Sequence, residues 1–173
     1  MRFHLQKNTD YWRGTLTDAT HLNPQLIAAF KREISQPAKQ SHYFYGRFEN
    51  IYFEPDQLPE LRPLLSALHQ AAQTICGQKL REVSNGYWLN QMAPGQRTSL
   101  HSHDETDEIL SAVYYLHVPK QSGNLVLHPP TGPQIITPQA GQALFFAPTL
   151  AHEVEENQSS QTRLSLALNF APA

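Results

Sequence analysis

The strongest chemical signal in the chain is His101-Ser102-His103. On an extended strand, side chains at i and i+2 leave the same face, so both imidazoles can reach one cation. His152, on a later β-prone run, offers a third nitrogen. Three protein ligands leave coordination positions open for a substrate or for oxygen, which is how catalytic metal sites differ from closed structural ones. A His-x-His pair also arises by chance in a chain with nine histidines, so the reading depends on its surroundings. Other candidates carry less. His117 and His128 stand near strand ends, where histidines are commonly surface residues. Cys76 falls at a helix C-terminus with Lys79 as its basic neighbour, whereas thiolate activation favours helix N-termini and clustered cations. No phosphate-binding glycine motif is present.

The elements that must position these histidines change character near Gly77. Asn23-Pro24 reads as an N-cap with proline at the first helical position, and Leu26, Ile27, Phe30 and Ile34 recur at helical spacing, predicting a helix over about 24–35. Pro59, the stripe Leu61, Leu64, Leu65, Leu68, Ala72 and Ile75, and Gly77 as its C′ residue predict a second helix. Between them, residues 42–53 are rich in aromatics and suit either extended structure or a lining loop. After residue 80, short β-prone runs at 87–92, 98–103, 109–118, 124–128, 134–137, 143–147, 152–155 and 163–170 are divided by Gly, Pro and Asn turns. No helix interleaves them. The expected fold is mainly β with N-terminal helices, a double-stranded β-helix (jelly roll): one domain over 1–173, with helical support at about 20–77 and the jelly-roll core at about 80–171.

Composition sets limits on partners. A chain of 173 residues with 13 Lys+Arg against 15 Asp+Glu has no basic excess to draw nucleic acid or anionic lipid, and it holds no apolar run long enough to span a bilayer. One cysteine makes no internal disulfide, and the opening MRFHLQKNTDYWRG lacks the charged-then-apolar pattern of a signal peptide. A cytoplasmic protein is expected, with no nucleic-acid or membrane partner. The oligomeric state stays open, a homodimer included.

The succession Leu110-Ser-Ala-Val-Tyr-Tyr-Leu116, Ser122-Gly-Asn-Leu125, Gly141-Gln-Ala-Leu-Phe-Phe-Ala-Pro148, His152 and Arg163-Leu-Ser165 resembles the 2-oxoglutarate- and Fe(II)-dependent dioxygenases, in particular their prolyl-hydroxylase-like branch and its small oxygenases. The likeness covers about residues 87–170, roughly half the chain. It implies Fe(II) held by His101, His103 and His152, and 2-oxoglutarate as co-substrate, decarboxylated to succinate while a C–H bond of a small-molecule or peptide substrate is hydroxylated. Arg163 suits the far carboxylate of the co-substrate, because a guanidinium makes two parallel charge-assisted bonds to a carboxylate. Ser165 shares the face of Arg163, and by resemblance the Tyr115 hydroxyl meets the same carboxylate. Taken singly, Arg163 also reads as an edge-strand charge, Tyr115 as a core aromatic and Ser165 as a filler.

One position departs from the family, which expects a carboxylate where this chain has His103. Glu105 also satisfies a His-x-carboxylate spacing with His103 and stands as a substitute ligand. A second resemblance, to the cupins, rests on Gly95, His101, His103, Glu108, Gly141, Pro148, His152 and Asn157 and would make Glu108 a ligand. It lacks the glycine expected after Glu108 and gives Arg163 no role. A metal enzyme without 2-oxoglutarate, and a non-enzymatic jelly-roll binding module, are therefore the alternatives. The aromatic stretch 42–53 and the 104–107 loop are the expected substrate-facing elements.

Overall fold

The computed structural model describes residues 1–54, 56–103 and 107–173. Glu105, and most of the loop expected to face substrate, lie outside the described residues. In chain order the elements are β1 (Phe3–Lys7), β2 (Tyr11–Leu16), α1 (Ala19–Glu33), β3 (Lys39–Phe44), β4 (Arg47–Tyr52), a 3₁₀ turn (Pro59–Leu61) leading into α2 (Arg62–Cys76), β5 (Leu80–Met92), β6 (Thr98–His101), β7 (Leu110–His117), β8 (Leu125–Leu127), β9 (Gln134–Ile136), β10 (Gln142–Phe146), β11 (His152–Val154) and β12 (Arg163–Pro172).

Two antiparallel sheets face each other. The larger has the order β1-β2-β10-β7-β12-β5-β4-β3 and the smaller β6-β11-β8-β9. The eight strands read from the second half of the sequence are the four inner strands of the larger sheet and all of the smaller one. This is the expected double-stranded β-helix.

Side-chain alternation divides the larger sheet into two working faces. Leu164, Leu166, Leu168 and Phe170 of β12, Tyr114 and Leu116 of β7, and Ala143 and Phe145 of β10 join one core with the apolar stripes of both helices. Tyr115, Leu144 and Phe146, one residue out of phase, join a second core with Leu125, Leu127 and Ile136 of the smaller sheet. The cup between the sheets is lined by Arg163, Ser165, Ala167 and Asn169, the other parity of β12. With both faces covered, β12 is buried along almost its whole length.

The first half of the chain departs from expectation in two places and takes one of two open alternatives in a third. Helix α1 begins at Ala19, so Asn23 is inside it rather than capping it. The buried Asn23 amide donates to the Leu116 carbonyl at 3.0 Å, and its oxygen accepts the Tyr114 hydroxyl at 2.6 Å, tying α1 to β7. The opening residues, to which the sequence assigns no element, form the hairpin β1–β2, which pairs along β10. The aromatic stretch forms the hairpin β3–β4, which extends the other edge beside β5. Helix α2 ends as expected at Gly77, whose positive φ of 66° and backbone bond to Gln73 close the last turn. No helix among the described residues is long and apolar enough to cross a membrane.

Candidate metal centre

His101 and His152 are direct cross-strand partners on β6 and β11, so pairing in the smaller sheet brings their rings together, with centroids 4.3 Å apart. His103 lies just past the end of β6 rather than on it. Its backbone N–H donates to the Pro148 carbonyl at 2.7 Å, and its ring stands 4.9 Å from His101 and 5.3 Å from His152. One nitrogen from each of the three lies within 4.8 Å of the others, and among the described residues this is the only group of three or more His, Cys, Asp or Glu side chains close enough to share an ion. Glu108, the further ligand of the cupin-like reading, is not in the group. Asn157 of that reading is a buried turn residue, its amide donating to the carbonyls of Met92 and Gln161 at 2.9 Å each.

The tautomers follow from the neighbours. His101 Nδ1 is 2.7 Å from the Ser99 carbonyl and His152 Nδ1 is 2.8 Å from the Leu150 carbonyl. A carbonyl only accepts, so both Nδ1 atoms carry the proton and both Nε2 lone pairs are left for the cluster. Burial first, then the charges of His101 and His103, bring the His152 pKa down to about 3, against the Leu150 hydrogen bond. His152 is therefore neutral, the state in which an imidazole binds a metal. This nitrogen donor set fits a borderline cation such as Fe(II).

Deeper in the same cup, Arg163 is 1% exposed. It donates to the carbonyls of Gly123 at 2.6 Å and Ser122 at 3.4 Å, and its guanidinium stands 5.2 Å from the centre of the Tyr115 ring. The turn that supplies those carbonyls requires glycine, because Gly123 has φ of 92° and a Cβ there would lie 2.2 Å from the Glu155 carbonyl oxygen. No carboxylate pairs with Arg163 among the described residues, and its Nε makes no hydrogen bond. Burial lowers the Arg163 pKa, opposed by Tyr115. The Tyr115 hydroxyl is also buried without a hydrogen bond. Burial pushes this phenol up to about 12, against the pull of the Arg163 and Arg13 charges. Both guanidiniums can only donate, so an acceptor for the phenol proton must come from elsewhere. An unpaired buried cation beside an unsatisfied hydroxyl fits the carboxylate of a dianion such as 2-oxoglutarate. Ser165, 5% exposed, is the cross-strand partner of Tyr115 on this face.

The remaining candidates stand apart. His117 bonds Gln161 at 3.3 Å and His128 bonds Glu153 at 3.0 Å, and neither belongs to the cluster. Burial pushes the Cys76 thiol up, opposite to activation. Sequence reasoning missed Arg47 and Glu49 of β4, which are buried while Phe48 between them is exposed. The signal was this inversion, charges at one parity of a strand and aromatics at the other. Around His101 and His103, the groove at the cup mouth is bordered by Phe44 and Tyr52 of the β3–β4 hairpin, Trp88 and Leu100.

A family model described as the 2OG-Fe(II) oxygenase superfamily matches residues 87–171. No curated protein matches the chain. Among solved structures, the chain is similar to the non-heme alpha-ketoglutarate-dependent epimerase SnoN from nogalamycin biosynthesis, with a TM-score of 0.75 at 18% identity over 95% of this chain and 78% of that one. It is similar also to a Pseudomonas putida prolyl-4-hydroxylase, with a TM-score of 0.69 at 18% identity over 95% of this chain and 88% of that one. A third similar structure is HygX from Streptomyces hygroscopicus with nickel and 2-oxoglutarate bound, with a TM-score of 0.72 at 12% identity over 95% of this chain and 83% of that one. At these identities the likeness is one of fold.

Proposed function

We propose, from the premise that this chain belongs through residues 87–171 to the 2OG-Fe(II) oxygenase superfamily, that it hydroxylates a C–H bond of a small-molecule or peptide substrate at the mouth of the cup. In this reading His101, His103 and His152 hold Fe(II) through Nε2 atoms, and Arg163, Tyr115 and Ser165 take the far carboxylate of 2-oxoglutarate. When bound, the iron and 2-oxoglutarate would supply the oxidising chemistry with O₂ as the oxidant, one oxygen atom entering the succinate that forms with CO₂ and the other the hydroxylated C–H bond. The protein's own contribution is positional. The Ser99 and Leu150 carbonyls fix the imidazole tautomers of two ligands, and the Ser122-Gly123 turn fixes the guanidinium. Phe146 shields one side of His152 at 4.8 Å, and the aromatic border of the mouth limits water around the bound substrate.

The observation that carries the reading is the buried, acid-free Arg163 beside the unsatisfied Tyr115 hydroxyl, in one cup with three converged imidazoles. The test is anaerobic addition of Fe(II) and then 2-oxoglutarate to the metal-free protein. A visible charge-transfer band that appears only with both is expected. Metal binding that gives no band when 2-oxoglutarate is added would overturn the co-substrate assignment in favour of a metal enzyme that does without it.

A further inference from the structure

A buried ion pair on β4, a strand N-terminal to the family match, reaches the metal cluster. Glu49, 3% exposed, accepts two hydrogen bonds from one residue: the Ser99 N–H at 2.8 Å on Oε1 and the Ser99 hydroxyl at 3.0 Å on Oε2. Ser99, held at both its backbone and its side chain, presents its carbonyl to His101 Nδ1 at 2.7 Å. Arg47, 8% exposed, pins the preceding residues, donating to the Thr98 hydroxyl at 2.9 Å and the Arg97 carbonyl at 3.0 Å. Its guanidinium lies 4.0 Å from Glu49. A carboxylate withdrawn from water costs several kcal/mol unless its lone pairs are satisfied. Here they are spent on Ser99 of the four-residue strand β6, two residues before His101.

We propose that Glu49, with Arg47 beside it, is a positioning group for His101, acting through Ser99 to hold the ring with Nδ1 protonated and Nε2 aimed at the cluster. The proposal rests on the reading of His101 as a metal ligand. The groups that orient a ligating histidine typically contribute about 10- to 100-fold to metal affinity. Glu49→Gln keeps the shape of the side chain but offers one acceptor oxygen where Ser99 presents two donors, so the Ser99 carbonyl gains freedom to turn.

The probe is Co(II) alone, titrated into the metal-free protein and followed by its visible d–d absorption, with melting temperature and the His101 Nδ1–H signal in nitrogen-resolved NMR measured alongside. Glu49→Gln is expected to weaken Co(II) binding about 10-fold and to shift or broaden the His101 Nδ1–H signal. Ser99→Ala, which loses only the hydroxyl bond, is expected to weaken binding about 3-fold and decides the matter if Glu49→Gln fails to fold. A folded variant with wild-type Co(II) affinity and an unmoved signal overturns the proposal, as does a lowered melting temperature with unchanged affinity. The parent reading fails separately, if His101→Ala binds Co(II) as tightly as the wild type. Loss of Co(II) binding in His101→Ala with full retention in both other variants sinks only the role of Glu49.

Discussion

Arg163 shows how much one residue can reveal and how much it conceals. Its side chain is fully buried, has no acidic partner among the described residues, and leaves Nε unsatisfied. An uncompensated buried charge destabilises the fold that holds it, so its presence implies a ligand that compensates it. Arg163→Met is accordingly expected to stabilise the ligand-free protein, by about 1–3 kcal/mol in chemical denaturation. The same variant should bind 2-oxoglutarate at least about 100-fold more weakly while binding Co(II) like the wild type. A destabilised variant, or a parallel loss of both ligands, would contradict this account. The type and position of Arg163, and its inward parity with Ser165, were legible in the sequence. The Gly123 carbonyl that anchors it was not, because a backbone acceptor forty residues away leaves no mark on composition. Arg13 was missed for a similar reason. It enters the cup region only because β2 pairs with β10, which sets Arg13 opposite Leu144.

At the scale of elements, the strands most legible in the sequence were those whose pattern is forced by burial. The run 163–170 and the Tyr-Tyr strand β7 pack into the helix-side core on one face and line the cup on the other, so their alternation carries both core and candidate site. Strand β3 is exposed on both faces, and β1 and β2 hold mixed side chains whose order comes from pairing at a sheet edge. No periodicity was required of them, so none could be read. The division of β12 gives a test on adjacent residues. Leu166→Ala, on the helix side, is expected to cost about 2–5 kcal/mol of stability with 2-oxoglutarate affinity unchanged. Ser165→Val, on the cup side, suits a strand and should cost under about 1.5 kcal/mol. It removes a hydroxyl from the proposed carboxylate site, so 2-oxoglutarate affinity should fall about 10-fold. Denaturation and ligand titration on the two variants measure both quantities, and a swapped outcome would mean the two faces of β12 have been exchanged.

For the whole molecule, the two cores meet across the larger sheet, and tyrosines are buried on both of its faces. Tyr87 and Tyr114 belong to the helix-side core and Tyr115 to the cup-side core. Burial, with Glu82 nearby, raises the Tyr87 phenol to about 12. Burial raises Tyr115 to about 12 as well, and it raises Tyr114 against the hydrogen bond to Asn23. An acid whose pKa is higher in the folded state than in the unfolded one holds its proton more tightly when folded. Below pH 10, the ordinary tyrosine value, both states are protonated and the contribution is complete. Between pH 10 and about 12 the unfolded chain releases its phenol protons while the folded chain keeps them, so stability falls steadily as pH rises. The melting temperature is therefore expected to hold level up to about pH 10 and then decline, with the ultraviolet signature of tyrosinate from Tyr87, Tyr114 and Tyr115 appearing only as the chain unfolds. Tyr87→Phe should shallow that decline, while any effect it has at pH 7, where the phenol is neutral in both states, should not vary with pH. A tyrosinate signal that rises in full near pH 10 while the fold persists would show that these phenols are in contact with water and that the two cores are not closed around them.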